Sequence, residues 1–172
     1  REPAIGKAFY LSGGTALAEY YLQHRLSEDL DCFSEHEIEV EGISVVLKKI
    51  QAQVNITKVV HEQSFNRNLF FLHLGEDVIK TEFTYYPFPR IEEGKHIGAL
   101  AVDSLLDIAV NKLFTISQKP RSRDFIDLFC ILKKHPEYTI ENLTAKAKIK
   151  FDHHIDPLQL AAQFVKATEL KD

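Results

Sequence analysis

The chain has 172 residues, 45% of them hydrophobic and 27% charged, with 21 Lys and Arg against 25 Asp and Glu and a formal net charge of −4. A single domain of this length buries about 70% of its unfolded surface and needs no disulfide or structural metal, and 12 Phe with 6 Tyr exclude disorder. No apolar run nears the roughly 20 residues of a membrane span, no signal peptide is expected from the first charged residues, and the acidic balance disfavours a surface given over to nucleic acid. Cys32 and Cys130, each inside an apolar segment, read as reduced core thiols of a cytoplasmic protein. Met is absent even at position 1, so an N-terminal segment is expected to be missing.

In chain order, residues 8–12 form a short apolar strand that stops at Gly13-Gly14. A helix follows over 15–25, with Leu17, Tyr20, Tyr21 and His24 at helical spacing and Ser12 or Thr15 as its cap. A strand is expected at 29–34 and a second helix at 41–54, the latter through Ile43, Val46, Leu47 and Ile50. Three strands come next, at 56–62, 68–74 and 78–86. The last two are joined by the three-residue loop Gly75-Glu76-Asp77. Pro87 and Pro89 close this section. From Gly98 onward the pattern predicts helices only: 103–118 capped by Asp103, 122–135 between Pro120 and Pro136, and two weaker ones near 139–149 and 157–170. The order predicts an α+β fold, a mixed sheet flanked by helices with a C-terminal helical section. The division is a core over 1–97 and a helical section over 98–172.

Four groups of residues carry chemistry. Gly13-Gly14-Thr15 between strand and helix lets a ligand approach the backbone and offers free N–H groups to an anion, although such a turn also serves as plain chain reversal. Asp29 and Asp31, at i and i+2 on a strand, project to one face and repel each other unless neutralised. Mg²⁺ would do this, and a solvated acidic turn is the bland alternative. Glu82 supplies a third carboxylate if its strand lies beside theirs, enough for one or two metal ions; otherwise it is an outward-facing glutamate. Lys112 shares a helix face with Leu105, Ile108 and Ile116, so it snorkels to water or points into a cleft to hold phosphate. Asp124 and Asp127 are i, i+3 neighbours at the start of the next helix, where its dipole alone would justify them. Lys119, Arg121, Arg123, Lys133 and Lys134 make the basic stretch. His153-His154 reads as a polar turn between helices, and His61, His73 and His96 as isolated.

The succession Gly13-Gly14-Thr15-Ala16-Leu17, His24-Arg25-Leu26-Ser27-Glu28-Asp29-Leu30-Asp31, Asn111-Lys112-Leu113 and Arg123-Asp124-Phe125-Ile126-Asp127-Leu128 resembles the AbiEii/AbiGii-type toxin nucleotidyltransferases of the DNA polymerase β-like superfamily, over residues 8 to about 135. The resemblance implies a minimal nucleotidyltransferase fold and transfer of a nucleoside monophosphate from an NTP to an acceptor hydroxyl. It implies that Gly13, Gly14 and Thr15, with Ser27, hold the triphosphate and that Asp29 and Asp31 bind Mg²⁺. Lys112 would contact phosphate or nucleotide, Asp124 matches the acid of the last motif, and Glu82 would be the third carboxylate. It further implies the toxin of a bacterial toxin–antitoxin or abortive-infection pair, with tRNA as acceptor and a cognate antitoxin as partner. A small-molecule or protein acceptor, or a non-catalytic nucleotide-binding module on the same fold, are the alternatives.

Overall fold

The computed structural model describes residues 8–169; the expected missing N-terminal segment, the first seven residues of the core division and the last residue of the 157–170 helix lie outside them. A seven-stranded mixed sheet in the order β3-β4-β5-β2-β1-β7-β6 forms the frame. Its strands are β1 (Tyr10–Ser12), β2 (Leu30–Ser34), β3 (Lys58–Ser64), β4 (Arg67–Leu74), β5 (Asp77–Tyr85), β6 (His96–Ile97) and β7 (Leu100–Val102). β2 lies parallel to β5 and β1 parallel to β7, while the remaining neighbours are antiparallel.

Helix α1 (Gly13–Leu17) leaves β1 with no intervening loop and widens into a π turn (Ala18–Leu22) ended by Gln23 in the left-handed region. It starts two residues before the expected Thr15. Neither proposed cap uses its side chain on the helix: Ser12 Oγ donates to Asp103 Oδ2 at 2.7 Å, and Thr15 Oγ1 donates to the main-chain oxygen of Asp29 and shares a hydrogen bond with Ser27 Oγ. Helix α2 (Val40–Gln53) sets Ile43 and Leu47 against Phe70, Leu72 and Phe83, which closes one face of the β3–β5 region. The larger core joins Leu11, Ala16 and Leu17 to α3 (Leu105–Gln118), α4 (Ser122–Lys134), α5 (Ile140–Phe151) and α6 (Pro157–Lys166).

Several expectations are corrected. Leu74 pairs with Asp77, so the β4–β5 hairpin turns on two residues, Gly75-Glu76, not three. A β6–β7 hairpin occupies part of a region expected to be helical only, and β7 extends the sheet beside β1. Ser104 caps α3 by accepting from the Asp107 main-chain N–H at 2.9 Å. Asp103 is instead buried in front of the helix, because its carboxylate is engaged by Ser12 and its N–H by the carbonyl of Leu11. Cys32 and Cys130 are free and half-buried. His153-His154 lies in the turn between α5 and α6, as expected. Among the described residues no helix is long and apolar enough to cross a membrane.

Candidate functional site

A cleft of about 440 Å³ opens between the glycine turn, the face of β2 and β5 that carries Asp31 and Glu82, and the α3–α4 helices. It is lined by nearly every residue the motifs single out: Gly13, Gly14, Ser27, Asp29, Asp31, Glu82, Lys112 and Asp124. Thr15 does not line it. Its hydroxyl instead ties α1 to Ser27 and the Asp29 backbone, which fixes the chain that delivers both aspartates.

The glycines are dictated by close approach. Gly13 has φ +72°, and a Cβ there would lie 2.4 Å from Asp31 Oδ2. A Cβ on Gly14 would lie 2.3 Å from Arg25 Nη2. The absent side chains let the acidic face of β2 sit directly against the turn that begins α1.

The parallel β2–β5 register sets Asp31 opposite Glu82, two carboxylates 51 positions apart in sequence. The Asp31 carboxyl is pushed up to about 6, chiefly by burial and then by Glu82 and Asp29. The other two are balanced by cations. Asp29 accepts from Lys80 Nζ at 3.1 Å. Glu82 accepts a bidentate pair from Arg67 at 2.6 and 2.5 Å and a third bond from Thr84 Oγ1 at 2.7 Å. Burial alone would raise Glu82, but these donors outweigh it and lower its pKa. Arg67 is a site residue that the sequence reading did not single out. In the present arrangement no group of three or more His, Cys, Asp or Glu among the described residues is disposed to hold a metal ion. The donor types nevertheless are those of a divalent oxygen-seeking cation, three carboxylates lining one cleft, of which Asp29 and Glu82 are engaged by Lys80 and Arg67.

On the helical side Lys112 is almost wholly buried, and its Nζ lies 2.7 Å from Asp124 Oδ1 and 2.7 Å from Asp127 Oδ2. Its ammonium is thus held within the cleft wall by two carboxylates. Asp124 also accepts from the main-chain N–H of Arg121 and so closes a capping box on α4. Asp127 further accepts from Arg25 Nε and Nη2 at 2.7 and 2.9 Å and lies 2.7 Å from His24 Nε2. Burial pushes its carboxyl up, but Arg25, Lys112 and His24 hold it down at about 2. Arg25 and Asp127 are therefore the clasp between the turn after α1 and the helices. The i, i+3 spacing of Asp124 and Asp127 announced a shared face, whereas nothing in the spacing announced that they would share Lys112.

The family model described as nucleotidyl transferase AbiEii toxin, type IV TA system, matches residues 1–171. The uncharacterized protein aq_aa25 of Aquifex aeolicus (strain VF5) is 34% identical over 131 residues, 74% of this chain and 59% of that protein. The chain thus spans about three fifths of that relative's length. Among solved structures, JHP933 from Helicobacter pylori is similar with a TM-score of 0.61 at 17% identity, covering 97% of this chain and 85% of that one. The Megavirus polyadenylate synthase is similar with a TM-score of 0.53 at 18% identity, covering 80% of this chain and 30% of that one. At these identities the structural likenesses speak for the fold: an α+β nucleotidyltransferase frame.

Proposed function

The chain belongs to the AbiEii nucleotidyl transferase toxin family of type IV toxin–antitoxin systems, and from that premise we propose that it transfers a nucleoside monophosphate from an NTP to an acceptor hydroxyl in the cleft. The observation that carries this reading is the contact between Gly13 and Asp31, with Glu82 beside Asp31 on the next strand. Gly13 and Gly14 at the start of α1 line one cleft with Asp29, Asp31 and Glu82, and with Arg25, Lys119, Arg121 and Arg123. That is what a triphosphate undergoing displacement at its α-phosphorus requires, since catalysis there is positioning and charge neutralisation.

In this proposal the glycine turn and Ser27 seat the triphosphate, and Lys112, positioned by Asp124 and Asp127, contacts phosphate or the nucleotide. Asp29, Asp31 and Glu82 are the donors for one or two Mg²⁺ ions, which would neutralise phosphate charge and lower the acceptor hydroxyl's pKa. The acceptor oxygen bonds to the α-phosphorus as the α–β bridging bond breaks, pyrophosphate leaves, and the hydroxyl proton passes to Glu82. Residues 1–97 act as the core and 98–172 as the helical section that completes the cleft; this division falls inside the β6–β7 hairpin. A toxin of this family acting in the cytoplasm, neutralised by a cognate antitoxin, serving abortive infection and using tRNA as acceptor, is the biological setting we propose.

One observation favours a second reading. Lys80 and Arg67 occupy two of the three carboxylates, as in a module that binds nucleotide without turning it over. Label transfer from each α-³²P NTP, with Mg²⁺, into total bacterial RNA separates the two. The proposal expects a tRNA-sized labelled band that disappears in Asp31→Ala. Mg²⁺-dependent binding of a non-hydrolysable NTP, with no label in RNA, protein or small molecules, would establish the non-catalytic module instead.

A further inference from the structure

In-line displacement places the attacking oxygen and the leaving group on opposite sides of the phosphorus. If the triphosphate lies at the glycine turn beside β1, the acceptor must approach from the far side of Asp31. The sheet order from there is β5, β4, β3.

That side presents an open face. Paired residues on neighbouring strands share a face, so the face of Asp31 and Glu82 continues through Leu69 and then Glu62, and that of Lys80 through Phe71 and then Val60. The opposite face is sealed by α2. On the open face Val60, Leu69 and Phe71 are half-buried and belong to neither hydrophobic cluster. Around them stand Lys80 and Arg67 at the cleft, and exposed Lys58 beyond, paired in register with His73. Beyond the site carboxylates, Glu62 is the acid on this stretch of the face. Phe71, an aromatic ring at the centre of a shallow sheet, has exposed Lys58 on one side and, toward the cleft, Lys80 and Arg67. These two would exchange their partners Asp29 and Glu82 for phosphate once the carboxylates hold cations, and this arrangement suits a polyanion whose bases can stack.

We propose that the open face of β3–β5 is the acceptor platform, and that it binds the single-stranded 3′ end of an RNA. Phe71 stacks a base near the terminus, Lys80 and Arg67 meet the phosphates next to the reacting hydroxyl, and Lys58 meets one further along. This rests on the nucleotidyl-transfer reading above, and it adds the side from which the acceptor enters and the residues that read it. Arg67 gains a second use: moving to a phosphate would release Glu82 to the reaction.

The probe is a fluorescently labelled 12-nucleotide single-stranded RNA, followed by anisotropy across a salt series, with calorimetry of a non-hydrolysable NTP and Mg²⁺ alongside. Phe71→Ala should weaken RNA binding roughly tenfold, with Phe71→Trp restoring it. Lys58→Glu, at an exposed position where folding is not at stake, should weaken it and lower the slope of log affinity against log salt by about 0.7. NTP binding should be unchanged in all three. RNA affinity unaltered by both Phe71→Ala and Lys58→Glu overturns the platform. So does an intact protein that binds NTP but no RNA, or one that labels a protein acceptor with these variants unaffected; in those cases the nucleotidyl-transfer reading still stands. Failure of the intact protein to bind NTP would remove that reading and this one together.

Discussion

Gly13 is where conformation and chemistry meet most tightly. Its φ of +72° costs an L-residue about 1–2 kcal/mol, and any Cβ would enter the Asp31 carboxylate at 2.4 Å. Gly14 is different, since its Cβ would meet the far end of the Arg25 side chain and relieving that contact would loosen Arg25 from Asp127 without entering the acidic face. Gly13→Ala should therefore reduce nucleotidyl transfer by about 100-fold or more, and Gly14→Ala by roughly tenfold; equal losses would refute this ordering. A second prediction concerns two buried acids. Asp31 is raised to about 6 and Asp103 to about 7, the latter chiefly by burial and then by Asp107, against Ser12, Lys150 and Arg90, which lower it. Because both folded values exceed the unfolded carboxyl value of about 3.9, the native state holds more protons between pH 4 and 7, and stability falls as pH rises through that window. Asp127 and Glu82 are lowered, so their contribution is already complete above pH 5. The metal-free protein should be more stable at pH 5 than at pH 7.5, on the order of 2 kcal/mol. That is several degrees in thermal midpoint, and Asp103→Asn should remove much of the difference. At this scale the glycines, both aspartates, Lys112 and Asp124 were legible as residue types in order. Arg67 was not, because its meaning depends on a strand register that no short motif encodes.

At the scale of elements, Asp127 is the joint. From the buried face of α4 it holds Lys112 of α3 and both His24 and Arg25 after α1. Removing this buried carboxylate leaves Arg25 and His24 without their shared partner and Lys112 with Asp124 alone, a change that costs about 3 kcal/mol, the lower figure for a broken buried pair. Asp127→Ala should lower the urea midpoint accordingly with an unchanged m-value, and it should impair transfer through the displaced Lys112 and Arg25. A variant of wild-type stability would show the network to be ornamental. The long elements were readable because their apolar spacing sustains a period: α2 and α3, and strands β3 to β5, lie within a few residues of expectation. β6 and β7 are two and three residues long, too short to display any period, and they arise from pairing with β1. The α3 cap moved from Asp103 to Ser104 for a related reason. Asp103 is drawn inward by Ser12 and the Leu11 carbonyl, partners some 90 positions earlier in the chain.

At the scale of the whole molecule, the decisive fact is the sheet order. Placing β5 beside β2 brings Glu82 to Asp31, and placing β7 beside β1 carries α3, with Lys112, over the glycine turn. Neither adjacency could be read from the strands themselves, whose sequences do not name their neighbours; the resemblance supplied the expectation of a site, and the topology supplies its walls. Those walls come from both proposed sections, with Asp31 and Glu82 from residues 1–97 and Lys112 and Asp124 from 98–172. A ligand gripping both should bind only when both are folded. A non-hydrolysable NTP with Mg²⁺ at about 100 times its Kd should then stabilise the fold by about 2.7 kcal/mol, roughly 5–10 °C in thermal midpoint, as one shifted transition seen alike by far-UV circular dichroism and tyrosine fluorescence. In Asp31→Ala the Mg²⁺-dependent part of that shift should vanish, because the charge that would attract the ion is gone. Two separate transitions, only one of them moved by nucleotide, would mean that a single section holds the ligand and that the cleft is not its seat.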